Sequence, residues 1–236
     1  MAAITEGELL AAWEAALGRP AVARALALAG AACRRDPAEL SDLPLGRRDA
    51  LLLDLRERCF GPQLSSETSC PRCAERLELM LDVADIRVPV EEAPDDRCHV
   101  EVAGVEVEFR LPTSGDLLAL GSAGGDARRR LLETCVVERS AGSEALSDEI
   151  LAGVAARLPV ADPQADVVLS LACWSCGHEW DAPFDVAAYL WMEVDAYARR
   201  LLFDVHSLAS AYGWSEAEVL AVSPARRRFY LDEVAA

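Results

Sequence analysis

The sequence predicts an α+β protein in which a small central β module, two zinc-knuckle hairpins plus an inserted hairpin, is flanked by N-terminal helices and a long C-terminal helix followed by two short helices. Three observations predict it. Apolar residues recur at helical spacing up to residue 60 and again beyond 185. Between them the period shortens to two. Two stretches, CPRCAERLELMLDV at 70–83 and CWSCGHEWDAPFDV at 173–186, repeat one pattern of a Cys-x-x-Cys turn, a short apolar segment and Asp-Val-Ala. The chain divides on these grounds into an N-terminal helical region (1–62), a central β and zinc-knuckle module with an inserted hairpin and helices (63–186), and a C-terminal helical region (187–236).

Thr5-x-x-Glu8 is a capping-box pattern, and LLAAWEAAL after it keeps helical spacing up to Gly18. A second, alanine-rich helix follows from Pro20 to Ala32. RRDALLLDLRERCF places Leu51, Leu52, Leu55 and Cys59 on one face of a third helix, stopped by Gly61-Pro62. After Cys70, the alternation of Leu77, Leu79 and Leu81 with Arg76, Glu78 and Met80 predicts a strand leaving the first knuckle. CHVEVAGVEVEFRLP alternates on both sides of Ala103-Gly104 and reads as a hairpin.

TSGDLLAL starts a helix capped by Thr113 or Ser114, GSAGGD is a loop, and further helices are expected over 126–138 and 147–157. DVVLSLAC enters the second knuckle as a strand and EWDAPF leaves it as another. Asp185 opens a helix to Tyr212, spaced by Val186, Leu190, Val194, Tyr197, Leu201, Val205 and Leu208; about 28 residues span about 42 Å. Ser215-x-x-Glu218 and Ser223-Pro224 start two short helices.

The 236 residues are 52% hydrophobic, enough for a packed core without disulfides. A formal charge of −17 repels polyphosphates and anionic lipid, so nucleic acid and membrane surfaces are poor partners and a protein is the better one. AVARALALAGAAC at 21–33 fails as a secretory segment, because Glu6, Glu8 and Glu14 precede it and Arg24 interrupts it. No apolar run approaches the roughly 20 residues of a spanning helix. The chain therefore reads as soluble and cytoplasmic, with cysteines that are thiols or metal ligands.

Cys70, Cys73, Cys173 and Cys176 are the four soft ligands that zinc favours in a closed structural site. Iron in a four-cysteine site satisfies the same geometry. The two pairs stand 103 residues apart, far beyond the usual zinc-ribbon interval, yet they are in register: Leu77 and Leu81 fall opposite Trp180 and Phe184, and Asp, Val and Ala recur. One shared structural metal is expected, with two independent thiol pairs as the plain alternative. A redox role fits less well, since both motifs run into strand-like segments and not into a helix.

His178 and Glu179 read as surface residues and not as a ligand and a base, and Cys33, Cys59, Cys98 and Cys135 as small buried apolar groups. The three histidines form no nucleophilic arrangement, so no catalytic residue is assigned. Tyr212 and Trp214 at a turn, with Phe229 and Tyr230 beside Arg226, Arg227 and Arg228, are candidate partner-binding residues; the alternative is that the aromatics staple the short helices to the long one and the arginines pair with nearby carboxylates.

HSLASAYGWSEAEVLAVSPARRRFYLDEV resembles a segment of small proteins encoded with contractile phage tails and phage-tail-like injection particles. LPLGRRDALLLDLRERCFGPQL before a CPxC knuckle, FRLPTSGDLLAL, and CWSCGHEWDAPFDVAAYLWMEVDAYARRLL are similar to the remainder of that family, described as baseplate hub assembly chaperones or baseplate proteins. The resemblance covers residues 43–234. It implies a non-enzymatic part in building a baseplate, with hub, spike or other baseplate proteins as partners, no small-molecule substrate, and possible incorporation in the finished particle. A zinc-ribbon nucleic-acid-binding regulator is the alternative, opposed by Glu67, Glu75, Glu78, Asp82, Glu179, Asp181 and Asp185 around the knuckles.

Overall fold

The computed structural model describes residues 4–88, 97–121, 126–140 and 146–235. Helix α1 (Glu6–Ala16) starts on the expected capping box: Glu8 N donates to Thr5 Oγ1 at 3.1 Å and Thr5 N to the Glu8 carboxylate at 2.7 Å. Helices α2 (Ala21–Cys33) and α3 (Leu45–Phe60) each begin just after a proline, and α3 stops at Gly61, whose φ of 82° suits a residue without Cβ.

Strands β1 (Gln63–Ser69) and β2 (Arg76–Asp82) pair antiparallel around the first knuckle, and Asp82 caps the one-turn helix α4 (Val83–Ile86). The inserted segment folds as β3 (Cys98–Val102), β4 (Val105–Phe109), α5 (Ser114–Leu120), α6 (Ala127–Cys135), β5 (Val136–Arg139) and α7 (Asp148–Ala161), with sheet order β3-β4-β5. Strands β6 (Val168–Ala172) and β7 (Glu179–Pro183) frame the second knuckle. The chain ends in the 27-residue α8 (Val186–Tyr212), then α9 (Glu216–Ala221) and α10 (Pro224–Ala235). The α+β class holds, with three small sheets between helical ends among the described residues.

Two local bounds need correction, and one strand comes from a segment without a strand pattern. Residues 136–138 are not the end of a helix: α6 stops at Cys135, and the β-branched pair Val136-Val137 opens an edge strand with Val136 on the apolar cluster beneath the sheet. Strand β1 completes the first knuckle hairpin from a segment without a strand pattern: QLSSETS carries one buried apolar side chain, Leu64, and pairing with β2 makes it a strand. Helix α7 runs past 157 through Pro159. The GSAGGD loop falls largely on 122–125, outside the described residues.

Among the described residues, two main apolar cores result. The larger joins α1, α2, α3, β1, α4 and α8, with Leu28, Leu52, Leu55, Leu190 and Ala198 fully enclosed. The smaller, around Val107, Phe109 and Val154, belongs to the inserted segment. The seam between them is polar. Asp162 accepts from Gly46 N at 2.9 Å, and Arg48 pairs with Asp49 at 2.7 Å and reaches Ser114 at 3.3 Å. The buried Gln164 amide accepts from Val88 N at 2.8 Å and donates to Ile86 O at 3.2 Å, so the two ends of the insertion meet at one side chain. Burial in this seam raises the Asp49 carboxyl to about 6, against the lowering pull of Arg48.

A second tie joins the first helix to the last. Arg227 of α10 grips Glu6 of α1 through two bonds of 2.7 Å, and Glu6 also accepts from the Tyr197 hydroxyl on α8. The Arg227 guanidinium holds the Glu6 carboxyl below the usual carboxylate value, in spite of partial burial.

A lowered folded value means that Glu6 stabilises the fold above its unfolded value and loses that contribution as pH falls through the folded one. In urea unfolding, the destabilisation by Glu6→Gln should therefore be largest above about pH 5 and shrink below it; a pH-independent difference would refute the tie. At the seam, a Cβ on Gly46 would overlap the Asp162 carboxylate and approach Ala165 N to 3.0 Å. Gly46→Ala should cost about 1–3 kcal/mol, read as a lower thermal midpoint; an unchanged midpoint would contradict the close approach.

Candidate metal centre

The sequence repeat is also a backbone repeat. In the first knuckle Cys70 N donates to Glu75 O at 2.9 Å and Ala74 N to Cys70 O at 2.9 Å. In the second, Cys173 N donates to His178 O at 2.8 Å and Gly177 N to Cys173 O at 2.9 Å. The residue after each second cysteine is left-handed, φ 60° at Ala74 and 68° at Gly177, which turns both sulfurs to one side. Asp82 and Asp185, equivalent in the repeat, both cap helices, and the following Val83 and Val186 both enter the larger core.

Both hairpins are thereby anchored at their open ends. Tyr189 of α8 fixes the first further: its hydroxyl accepts from Ser65 N at 3.1 Å and donates to Ser65 O at 2.9 Å. It also touches Glu193 at 3.3 Å, and Glu193 accepts from Nε and Nη2 of the buried Arg56, each at 3.0 Å. The hairpin tips meet over a small cluster in which Leu77 and its repeat equivalent Trp180 pack around the cysteines.

There the four sulfurs converge, all within 4.8 Å of one another. Cys70 Sγ lies 3.7 Å from Cys176 Sγ, and Cys73 Sγ lies 3.6 Å from Cys173 Sγ, so each short contact joins one knuckle to the other. A tetrahedron with sulfurs about 2.3 Å from its centre has edges of about 3.8 Å. The contacts match that edge, and the donor set suits a thiolate-binding ion; the four cysteines can hold a metal.

The thiols respond to one another as such a set must. Burial pushes the Cys70 thiol up, but the N–H groups of Cys73 and Arg72 and the neighbouring thiols outweigh it and bring it to about 7. At Cys73 the N–H of Glu75 lowers the value, but Cys176, burial, Cys173 and Cys70 raise it to about 12. The Cys70 thiol is thus lowered and the Cys73 thiol raised, and a cation among the sulfurs would favour the ionised form of both.

His178 stands outside this set, stacked on Trp180 at 5.9 Å between ring centres. Cys135 is buried, and burial raises its thiol to about 11. Cys59 is raised by the same cause, and Cys33 donates to Ala29 O at 3.2 Å.

A family model described as T4 bacteriophage base plate protein matches residues 30–152, just over half of the chain. The chain belongs to this base plate family. No curated protein and no solved structure matches it. The span that carries the base plate match runs from within α2 into α7, and so contains the first knuckle and the inserted sheet. The second knuckle and the C-terminal helices of this base plate protein lie beyond it. Among the described residues, no helix is long and apolar enough to cross a membrane.

The candidate partner-binding residues separate into two groups. Arg227 is only 4% exposed and is held by Glu6 and Asp204, so its charge is engaged within the chain. Trp214 and Tyr230 pack edge to face at 5.1 Å over Leu208 and Val219, stapling α9 and α10 to α8. Tyr212 and Phe229 remain exposed at the edge of this aromatic group, as do Arg226 and Arg228. Sequence reasoning missed Trp174, which is 75% exposed at the tip of the second knuckle; an apolar residue inside a Cys-x-x-Cys turn was the available signal.

Elemental analysis of the purified protein should find about one metal ion per chain, and Cys70→Ser should lower that content sharply. Chelation should lower the thermal midpoint by at least about 5 °C, a loss of roughly 2 kcal/mol for a chain of this length. A metal-free protein with an unaltered melt would remove the clamp.

Proposed function

We propose that this protein is a non-enzymatic assembly factor or structural component of the baseplate of a contractile tail-like particle, a phage tail or an injection device, and that it acts as a hub assembly chaperone or hub-proximal subunit. The observation that carries this reading is membership of the base plate family across the first knuckle and the inserted sheet. The rest of the molecule is consistent with it. Four cysteines make a closed ligand set with no position left for a substrate, the form of a structural site. Cys70, Cys73, Cys173 and Cys176 would hold Zn2+, which supplies the positive charge that lets all four thiols ionise and so locks the hairpins together.

The partners are other baseplate, hub or spike proteins, met through exposed parts of the C-terminal helices. Synthesis is in the bacterial cytoplasm, with incorporation into the particle as the further step. Carboxylates around the knuckles, among them Glu67, Glu75, Glu78 and Asp181, disfavour nucleic acid as the ligand.

Deleting residues 207–236 should abolish assembled contractile particles in electron micrographs of the producing cells while the purified protein keeps its zinc. Full-length, contracting particles from the truncated gene would refute the docking role of this end. Iron in place of zinc would refute the identity of the ion but not the clamp.

A further inference from the structure

Helix α10 lies along α8, and between them runs an open groove of about 730 Å³. Leu201, Leu231 and Pro224 give it an apolar lining, and Phe203 stands in it 69% exposed. In a chain of formal charge −17, its wall carries four arginines against two aspartates. Two of those arginines are committed: Arg199 pairs with Asp195 at 2.8 Å, and Arg227 with Glu6 and Asp204. Arg200 and Arg228 make no salt bridge or hydrogen bond among the described residues, and Arg200 only influences Asp204 from a distance. Asp232 is the remaining carboxylate of the wall.

The chain itself displays the chemistry that this wall accepts. Glu6, in the first turn of an amphipathic helix, is gripped by Arg227 through two bonds of 2.7 Å and by the Tyr197 hydroxyl, and both Arg227 and Tyr197 line the groove. A trough between two helices, with apolar side chains at its base and guanidinium groups on its wall, suits a third helix carrying an apolar stripe flanked by carboxylates.

We propose that the α8–α10 groove docks an acidic amphipathic helix of another baseplate component, its apolar stripe on Phe203 and Leu231 and its carboxylates on Arg200 and Arg228. This rests on the baseplate role given above and names the partner's chemistry. A polyphosphate offers no apolar stripe to cover Phe203 and Leu231, and is disfavoured in the same place.

The test replaces Phe203 with the photo-crosslinking residue p-benzoylphenylalanine in particle-producing cells and maps the adduct by mass spectrometry. The expected product is a helical, acidic, amphipathic segment of another protein of the same particle. The double variant Arg200→Glu/Arg228→Glu should lower its yield at least about tenfold, and lysines at the mapped carboxylates should restore it. Arg19→Glu, exposed in the turn between α1 and α2 and outside the groove, should change the yield by less than about twofold. Circular dichroism and metal content confirm that each variant folds.

An adduct with nucleic acid, with a second copy of this chain or with a basic segment overturns the proposal, as does no adduct or a yield indifferent to the double variant. Deletion of the whole gene separates the two readings. Normal particles without the gene sink the baseplate role, whereas particles lost on deletion but undiminished in the double variant sink the groove alone.

Discussion

The apolar stripe of α8 has to return across the chain to cover α1, α2 and α3, and the placement of everything else depends on that packing. Leu28, Leu52 and Leu55 of the N-terminal helices share one buried cluster with Leu190, Val194 and Ala198 of α8. Because the first residue of α8, Val186, belongs to this core, the strand that precedes it is delivered to a fixed place. The same core takes Val83 at the end of the other hairpin. Two hairpins rooted in one core over short strands have little freedom at their tips. The sulfurs meet there because their roots are fixed, and a cation at the centre would close the circuit from the other side.

The equivalence of the two hairpins goes beyond the cysteines. Each has the same pair of turn-closing backbone bonds, the same left-handed residue and the same aspartate cap leading into a helix. They differ in the length of that helix: one stops after a single turn, while the other runs for 27 residues. A repeated unit with two unequal continuations accounts for a four-cysteine set whose halves are so far apart in sequence.

Much of this was legible in the residues. Capping boxes at Thr5 and Ser215, the stop at Gly61 and the spacing of α8 are local chemistry, and they appear as read. The convergence of the four cysteines was legible through the register of the repeat. What escaped depends on partners distant in sequence. Strand β1 is polar and owes its form to β2; Val136 leaves its helix because the sheet offers an edge; Arg227 looked like surface charge because Glu6 lies at the other end of the chain. Gln164 and Tyr189 carry no pattern at all, and their roles exist only once the backbone groups they satisfy have been brought together.

Gln164 has a consequence for variation of the chain. One buried amide receives the departing backbone at Ile86 and Val88 and stands where the chain comes back. The body meets its insertion along a polar threshold, where Leu45 N also donates to Pro112 O at 3.1 Å and Gly115 N to Ser41 O at 2.8 Å, while the smaller core beyond it is self-contained. Added or lost turns in that annex need not disturb the helices behind the threshold, since each doubling of a loop costs only about 0.6 kcal/mol. The annex is where a molecule of this design can be refitted for a different neighbour while its frame stays the same.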